Sequence, residues 1–241
     1  RPDGTYEALE QWLDQLVGAI SAQPQRLPSV KSEESEAKVL SIKQAASLLR
    51  QPGLDTLTGK RDTAILALML GTGLREQEVI ALEVHHLNVS CIEGKRPALY
   101  VPDGKGCVER MVPFLAEGVR EVVQQWLDAA EIGYGPVFRG FYRGEKVRPT
   151  PLSRRALQQV LASYPIEIDG EPVVVRPLDL RRTYARLLYD AGADFFSIQR
   201  YLGVKQANTV AAYLAGERQP TWETLAEIFD PYELENRSLY R

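Results

Sequence analysis

Four stretches of the chain carry side chains able to act on an anion. In LDLRRTYA (178–185), Arg181 and Arg182 stand side by side where an apolar helical pattern begins. Tyr184, Leu187, Leu188 and Ala191 then fall at i, i+3, i+4 and i+7, which is one buried helix face. A guanidinium at the mouth of a core helix is costly to desolvate unless it meets an anion. The sequence therefore asks for a carboxylate inside the fold or an anion arriving from outside. In TGLREQEVIAL (72–82), Arg75 follows a glycine break and Glu78 stands one turn on. In GKGCVERMVPF (104–114), Lys105 sits at the tip of a glycine-rich turn. Tyr213, in VAAYLAG, follows Arg181 by 32 residues.

The rest of the chain narrows what these groups can do. Only His85 and His86 are histidines, so any mechanism that needs an imidazole elsewhere is in trouble. Cys91 and Cys107 are too few for a disulfide scaffold and lack metal-ligand spacing, which suits a reducing cytoplasm. The longest apolar run, AILALML (64–70), is too short to cross a bilayer. Net charge is −3, but it is unevenly spread. Arg139, Arg143, Lys146, Arg148, Arg154 and Arg155 lie against the single acid Glu145, while acids gather early (Glu33, Glu34, Glu36) and at the end. A basic middle between acidic flanks fits a phosphate-facing surface, with a solvated basic loop as the plain alternative.

The elements that must hold these residues are mostly helical. TYEALEQWLDQLVGAI (5–20) reads as an amphipathic helix, and 21–38, with its prolines and serines, as a linker. Ser41 with Gln44 makes a capping box, so the main domain starts near residue 39. RDTAILALML ends at Gly71, and LREQEVIALE resumes helix after Gly73. ALYVP (98–102) and VERMVPF (108–114) flank DGKG as a hairpin. Helices follow over 116–130 and 151–164, and VVV (173–175) reads as a short strand. From 178 the chain is helical to Tyr189; Asp194 caps FFSIQRYL, which Gly203 stops. Asn208 or Thr209 caps VAAYLAG, closed by Gly216, and TWETLAEIF (221–229) is a last helix. The expected class is mostly α with a small antiparallel β-sheet (α+β). The first residue is Arg1 rather than Met, so the sequence reads as part of a longer chain.

From about residue 39 to 216 the sequence resembles the catalytic domain of the tyrosine recombinases, the phage-integrase family. The resemblance rests on T-G-L-R-x-x-E around Arg75, the G-K-G turn around Lys105 followed by R-x-V-P, the Leu178–Arg181 box, the Leu202-Gly203 turn and Tyr213, in that order. It implies that Arg75 and Arg181 face the scissile phosphate of double-stranded DNA, where two fixed guanidiniums stabilise the charge that builds on the non-bridging oxygens. It implies that Tyr213 attacks phosphorus to give a 3′-phosphotyrosine ester, with no metal, ATP or other cofactor. Lys105 is then the acid for the leaving 5′ oxygen. Glu78 reads as structural, and Tyr184, Tyr189 and Tyr201 as core. Arg154, Arg155 and Arg182 are the expected DNA contacts.

Two positions depart from the family pattern. Leu178 stands where an H-x-x-R box has histidine, and Val204 where an L-G-H turn has another. Losing one donor to an oxyanion costs roughly 10²–10³ in rate. Two readings therefore stand: a site-specific recombinase or integrase working through Tyr213, and a degenerate relative that binds DNA as a regulator or accessory recombination subunit. By the same resemblance, residues 1–38 are an N-terminal helix and linker, either a remnant of a DNA core-binding domain or a linker helix, and 217–241 a tail helix that either docks on a neighbouring subunit or packs on its own domain. Assembly into a tetramer on DNA, in a cytoplasm and on the nucleoid, goes with it.

Overall fold

The computed structural model describes residues 38–87, 89–92, 96–102, 109–143 and 146–214. The expected helix 5–20, nearly all of the linker, the hairpin tip with Lys105, Gly216 and the helix 221–229 lie outside them.

Helix α1 (Ile42–Arg50) opens with the expected capping box: Gln44 N donates to Ser41 Oγ at 3.3 Å, and Ser41 N to Gln44 Oε1 at 2.8 Å. Helix α2 (Leu57–Thr72) is buried on every side from Arg61 to its end. A helix apolar all round belongs at the centre of a fold, and its charged exceptions, Arg61 and Asp62, pair with each other at 2.6 Å. Gly71 is fixed by a close approach: a Cβ there would lie 2.5 Å from Val119 Cγ2 on helix α4 (Glu117–Ala129). Gly73 ends α2 in the left-handed region (φ 61°), and the chain turns into helix α3 (Glu76–Ala81).

A short 3₁₀ turn, Val84–His86, leads to an antiparallel meander of β1 (Val89–Ile92), β2 (Arg96–Val101) and β3 (Arg110–Pro113). Strands β2 and β3 are the expected hairpin, with Leu99 opposite Val112 and Val101 opposite Arg110. Strands β4 (Arg139–Phe141) and β5 (Val147–Pro151) form a second hairpin, so much of the basic run is sheet rather than loop. Helix α5 (Arg154–Ser163) follows its Ser153 cap; then come β6 (Ile166–Ile168), β7 (Glu171–Val173), and helices α6 (Pro177–Asp190), α7 (Phe195–Leu202) and α8 (Ala207–Tyr213).

The α+β class holds, but the β structure is richer than one small sheet: the described residues form one three-stranded and two two-stranded sheets. The strand expected at 173–175 lies instead at Glu171–Val173, paired with Ile166–Ile168. Its register is set by the Asp169-Gly170 turn, both residues at positive φ (54° and 83°), as a two-residue hairpin loop demands. That Asp-Gly pair, not the valine run, was the informative signal. Helix α8 starts one residue ahead of its expected cap. Gln206, with φ −96° and ψ 123°, is the last extended residue, so Asn208 and Thr209 lie inside the first turn.

Candidate active site

The N-terminus of α6 is fixed before its arginines are aimed. Pro177 is pre-set for the first helical turn. Asp179, itself buried, accepts from Arg176 N at 2.9 Å and from Lys38 N at 3.1 Å. One turn on, Leu40 N donates to Thr183 Oγ1 at 3.0 Å. These bonds stitch the entering chain to α6 and send Arg181 inward, where it is 3% exposed.

The guanidinium of Arg181 meets backbone rather than a carboxylate: Nη1 donates to Gly73 O at 2.6 Å and Nη2 to Leu202 O at 2.5 Å. Arg75, at the N-cap of α3, donates Nη2 to Gly203 O at 3.0 Å and Nη1 to Glu78 Oε1 at 3.1 Å. A third arginine, which in the sequence is only the first residue of the R-x-V-P that follows the G-K-G turn, completes the group. Arg110 donates Nε to Tyr201 O at 2.7 Å, and Nη1 and Nη2 to the two oxygens of Glu78 at 2.9 and 2.8 Å. Three consecutive carbonyls at the end of α7 (Tyr201, Leu202 and Gly203) thus hold Arg110, Arg181 and Arg75 in turn. The last carbonyls of a helix lack intrahelical partners and carry its partial negative charge, so this end suits a cluster of cations.

The cluster is short of negative charge. Burial, then the neighbouring Arg75, pushes the Arg181 pKa down, while Tyr213 and Glu78 pull the other way. Burial also pushes Glu78 up, but the hydrogen bonds and charge of Arg110, the Arg75 amide and the charge of Arg181 together hold it below the ordinary carboxylate range. Glu78 therefore stays ionised and structural, as its sequence context suggested, with two guanidiniums to serve. Arg181 is left on neutral acceptors. Of the two anions its position called for, the internal carboxylate goes mainly to its neighbours, Arg75 and Arg110.

Tyr213 is half-buried near the end of α8, close enough for its charge to bear on Arg181. Arg182, read from sequence as a DNA contact, is half-buried with its guanidinium 5.3 Å from the centre of the Tyr213 ring, a cation–π distance. Leu178, in the first turn of α6, is 40% exposed. Val204, next to the Gly203 turn, is half-buried. Arg154 pairs across the surface with Glu76 at 2.8 Å, and Arg155 is exposed with no salt bridge to another of the described residues. Lys105 lies outside the described residues. His86 is buried in the 3₁₀ turn, where its Nδ1 accepts from Glu83 N at 3.1 Å; burial and then His85 lower its pKa. Both histidines serve that turn rather than the arginine cluster.

Arg110 left a trace in the sequence. In VERMVPF it shares a strand face with Val112, and a charged residue on an apolar face asks for a buried partner. Tyr184 is core, as expected: fully buried, its ring would meet a Cβ on Gly73 at 2.3 Å. Its hydroxyl is buried with no hydrogen-bond partner among the described residues. An unsatisfied buried polar group costs about 1–3 kcal/mol. Tyr184→Phe is therefore expected to stabilise the protein by about 1 kcal/mol, read as a higher urea midpoint with an unchanged m value.

Comparison with known proteins places this arrangement in two steps. Solved structures share the architecture. XerA recombinase matches with a TM-score of 0.58 at 20% identity, covering 86% of this chain and 66% of its own. The Tn1549 transposon integrase, in complex with transposon right end DNA, matches at 0.55 and 18%, covering 88% and 69%. The class is thus that of the recombinase catalytic fold. Among curated sequences, tyrosine recombinase XerC of Myxococcus xanthus is 30% identical over 220 residues, covering 88% of this chain and 68% of the relative. Tyrosine recombinase XerD of Xanthomonas axonopodis pv. citri is 31% identical over 198 residues, covering 76% and 59%. The phage integrase family pattern matches residues 38–219, and the chain belongs to that family.

Proposed function

We propose that the protein is a site-specific DNA recombinase that breaks and rejoins strands through a 3′-phosphotyrosine intermediate. The observation that carries this reading is the convergence of Arg75 and Arg181 on adjacent carbonyls of one turn, with Tyr213 close by and positive charge in excess. A phosphodiester entering between the two guanidiniums supplies the missing anion. Tyr213 Oη then attacks phosphorus as its proton leaves to solvent. The P–O5′ bond breaks, and Lys105 protonates the departing 5′ oxygen. Rejoining runs the same steps backwards, and the ester conserves the energy of the broken bond.

Double-stranded DNA is the partner this reading requires. Its support is that XerH bound to a difH substrate shares the fold, with a TM-score of 0.53 at 18% identity. Residues 39–216 form the catalytic unit. Assembly into a tetramer on DNA and residence on the nucleoid belong to the same proposal; among the described residues no helix is long and apolar enough to cross a membrane. The test is covalent capture. A duplex site selected by binding from a random-sequence pool is nicked beside the scissile bond, so that the cleaved end diffuses away. A protein–DNA adduct resistant to denaturant supports strand cleavage. Tight specific binding without adduct would favour the DNA-binding regulator instead.

The basic entry to α5 supplies a separate check. Arg155 is exposed with no salt bridge among the described residues, whereas Arg154 is held by Glu76. Arg155→Gln should weaken binding across all sequences and lower the slope of log affinity against log salt by about one unit, the value for one lost phosphate contact. Arg154→Gln should change the slope less, since its charge is already partly neutralised. An unchanged slope in the Arg155 variant would show that this end of α5 faces water in the complex.

A further inference from the structure

We propose that Arg110 is a positioning residue that holds Arg75 and Arg181 in one converging arrangement. The inference rests on the proposed strand-cleaving function. Arg110 is buried with its Nε on the Tyr201 carbonyl and both terminal nitrogens on Glu78, so its effect on the chemistry passes through these partners. One of these partners, Glu78, also holds Arg75, and the other, Tyr201, belongs to the turn whose next two carbonyls hold Arg181 and Arg75. Glu78 takes the forked end of Arg110 and, with the same two oxygens, the Arg75 amide at 2.8 Å and the Arg75 guanidinium at 3.1 Å. The Tyr201 carbonyl takes Arg110 Nε one residue before the carbonyl that holds Arg181 and two before the one that holds Arg75. One planar group therefore braces both the carboxylate behind Arg75 and the turn beneath Arg181.

The turn is fitted to it. Gly203 sits at φ 60°, and a Cβ there would lie 2.8 Å from Arg110 Nη1 and 2.9 Å from its Cζ. The glycine is needed for its backbone and for the passage of the guanidinium. A lysine cannot replace Arg110, because a single ammonium cannot bridge both carboxylate oxygens and the Tyr201 carbonyl in one plane.

The test uses the full 241-residue chain and two variants that keep its net charge, so long-range attraction to DNA is unaltered. Arg110→Lys keeps the cation and loses the fork. Glu78→Met with Arg110→Met removes both charges together, which avoids a stranded buried ion and favours folding. In both, single-turnover adduct formation is expected to fall about 10²-fold, the scale set by a misplacement of about 1 Å, with duplex affinity unchanged. Without DNA, the guanidinium Nε–H resonances of Arg75 and Arg181 are expected to be sharp and dispersed in the parent and to broaden in the variants. A folded double variant that cleaves at the parental rate would overturn the assignment. If the parent itself makes no adduct, the proposed function fails. The resonances then decide the positioning claim alone: sharp signals retained in the variants would overturn it.

Discussion

The Tyr213→Phe protein is expected to bind its DNA site as tightly as the parent and to form no covalent adduct with a nicked substrate. Phenylalanine removes the one oxygen that attack requires and keeps the ring that packs under Arg182, 5.3 Å away. It also keeps the half-buried contacts of α8, so folding and binding should survive. Loss of a nucleophile leaves at most the stabilisation supplied by the arginines, a fall of about 10⁴-fold or more. The rival tyrosines make the prediction sharp. Tyr184 is wholly buried, and burial pushes its hydroxyl well above the ordinary phenol range, away from nucleophilic use. Tyr189 and Tyr201 are only half-buried. Denaturing gels of adduct against time are the measurement. An adduct of normal yield from Tyr213→Phe would move the nucleophile to another tyrosine, with these two first to be tested.

The second large effect concerns the replaced histidines. Leu178 and Val204 can neither donate a hydrogen bond nor move a proton, so the parent is expected to cleave slowly. Leu178→His with Val204→His should raise single-turnover cleavage about 10²-fold, the contribution of one good acid–base group. The two sites differ in room. Leu178 is 40% exposed, so an imidazole there needs no cavity, whereas Val204 is half-buried against the core and must be displaced. Most of the gain should therefore appear in the Leu178→His single variant. Rates of adduct formation at saturating DNA for both single variants and the double variant measure this. A parent as fast as the double variant would assign the proton work to another group, with Lys105 first to be examined.

How the fold was legible follows from what each element advertises. Helices with caps were plain: Ser41, Asp194 and Gly203 stand where their side-chain or backbone chemistry requires. The β3 partner was legible because Lys105 and its glycines mark a hairpin. The β6–β7 hairpin was misplaced because three valines were weighed above the Asp169-Gly170 turn that actually fixes its register. The β4–β5 hairpin is hidden for a related reason: a glycine, prolines and arginines interrupt the alternation that reveals a half-buried strand, while β1, with four residues, is too short to show one. At the site, Arg75, Arg181 and Tyr213 were readable because motif order reports them. Arg110 was not, since its significance lies in bonds to residues 32 and 91 positions away in sequence. Nor could local pattern show that Arg182 lies over the Tyr213 ring, which depends on how α6 and α8 pack.

The arginine cluster also sets a charge balance. Among the described residues that form it, Arg75, Arg110 and Arg181 bring three positive charges and Glu78 one negative, a surplus of two. A phosphodiester in the ground state carries one negative charge; the five-coordinate phosphorus formed by attack of a phenolate carries two. On the proposed reading, bound DNA thus leaves one unit of charge unmatched, and that unit is neutralised only as the new bond forms. A site with a second carboxylate beside Glu78 would match the ground state instead and spend its attraction on binding. The use of neutral carbonyls at the end of α7 to hold all three arginines avoids this. It orders the cations without cancelling them, so their pull is reserved for the moment of transfer.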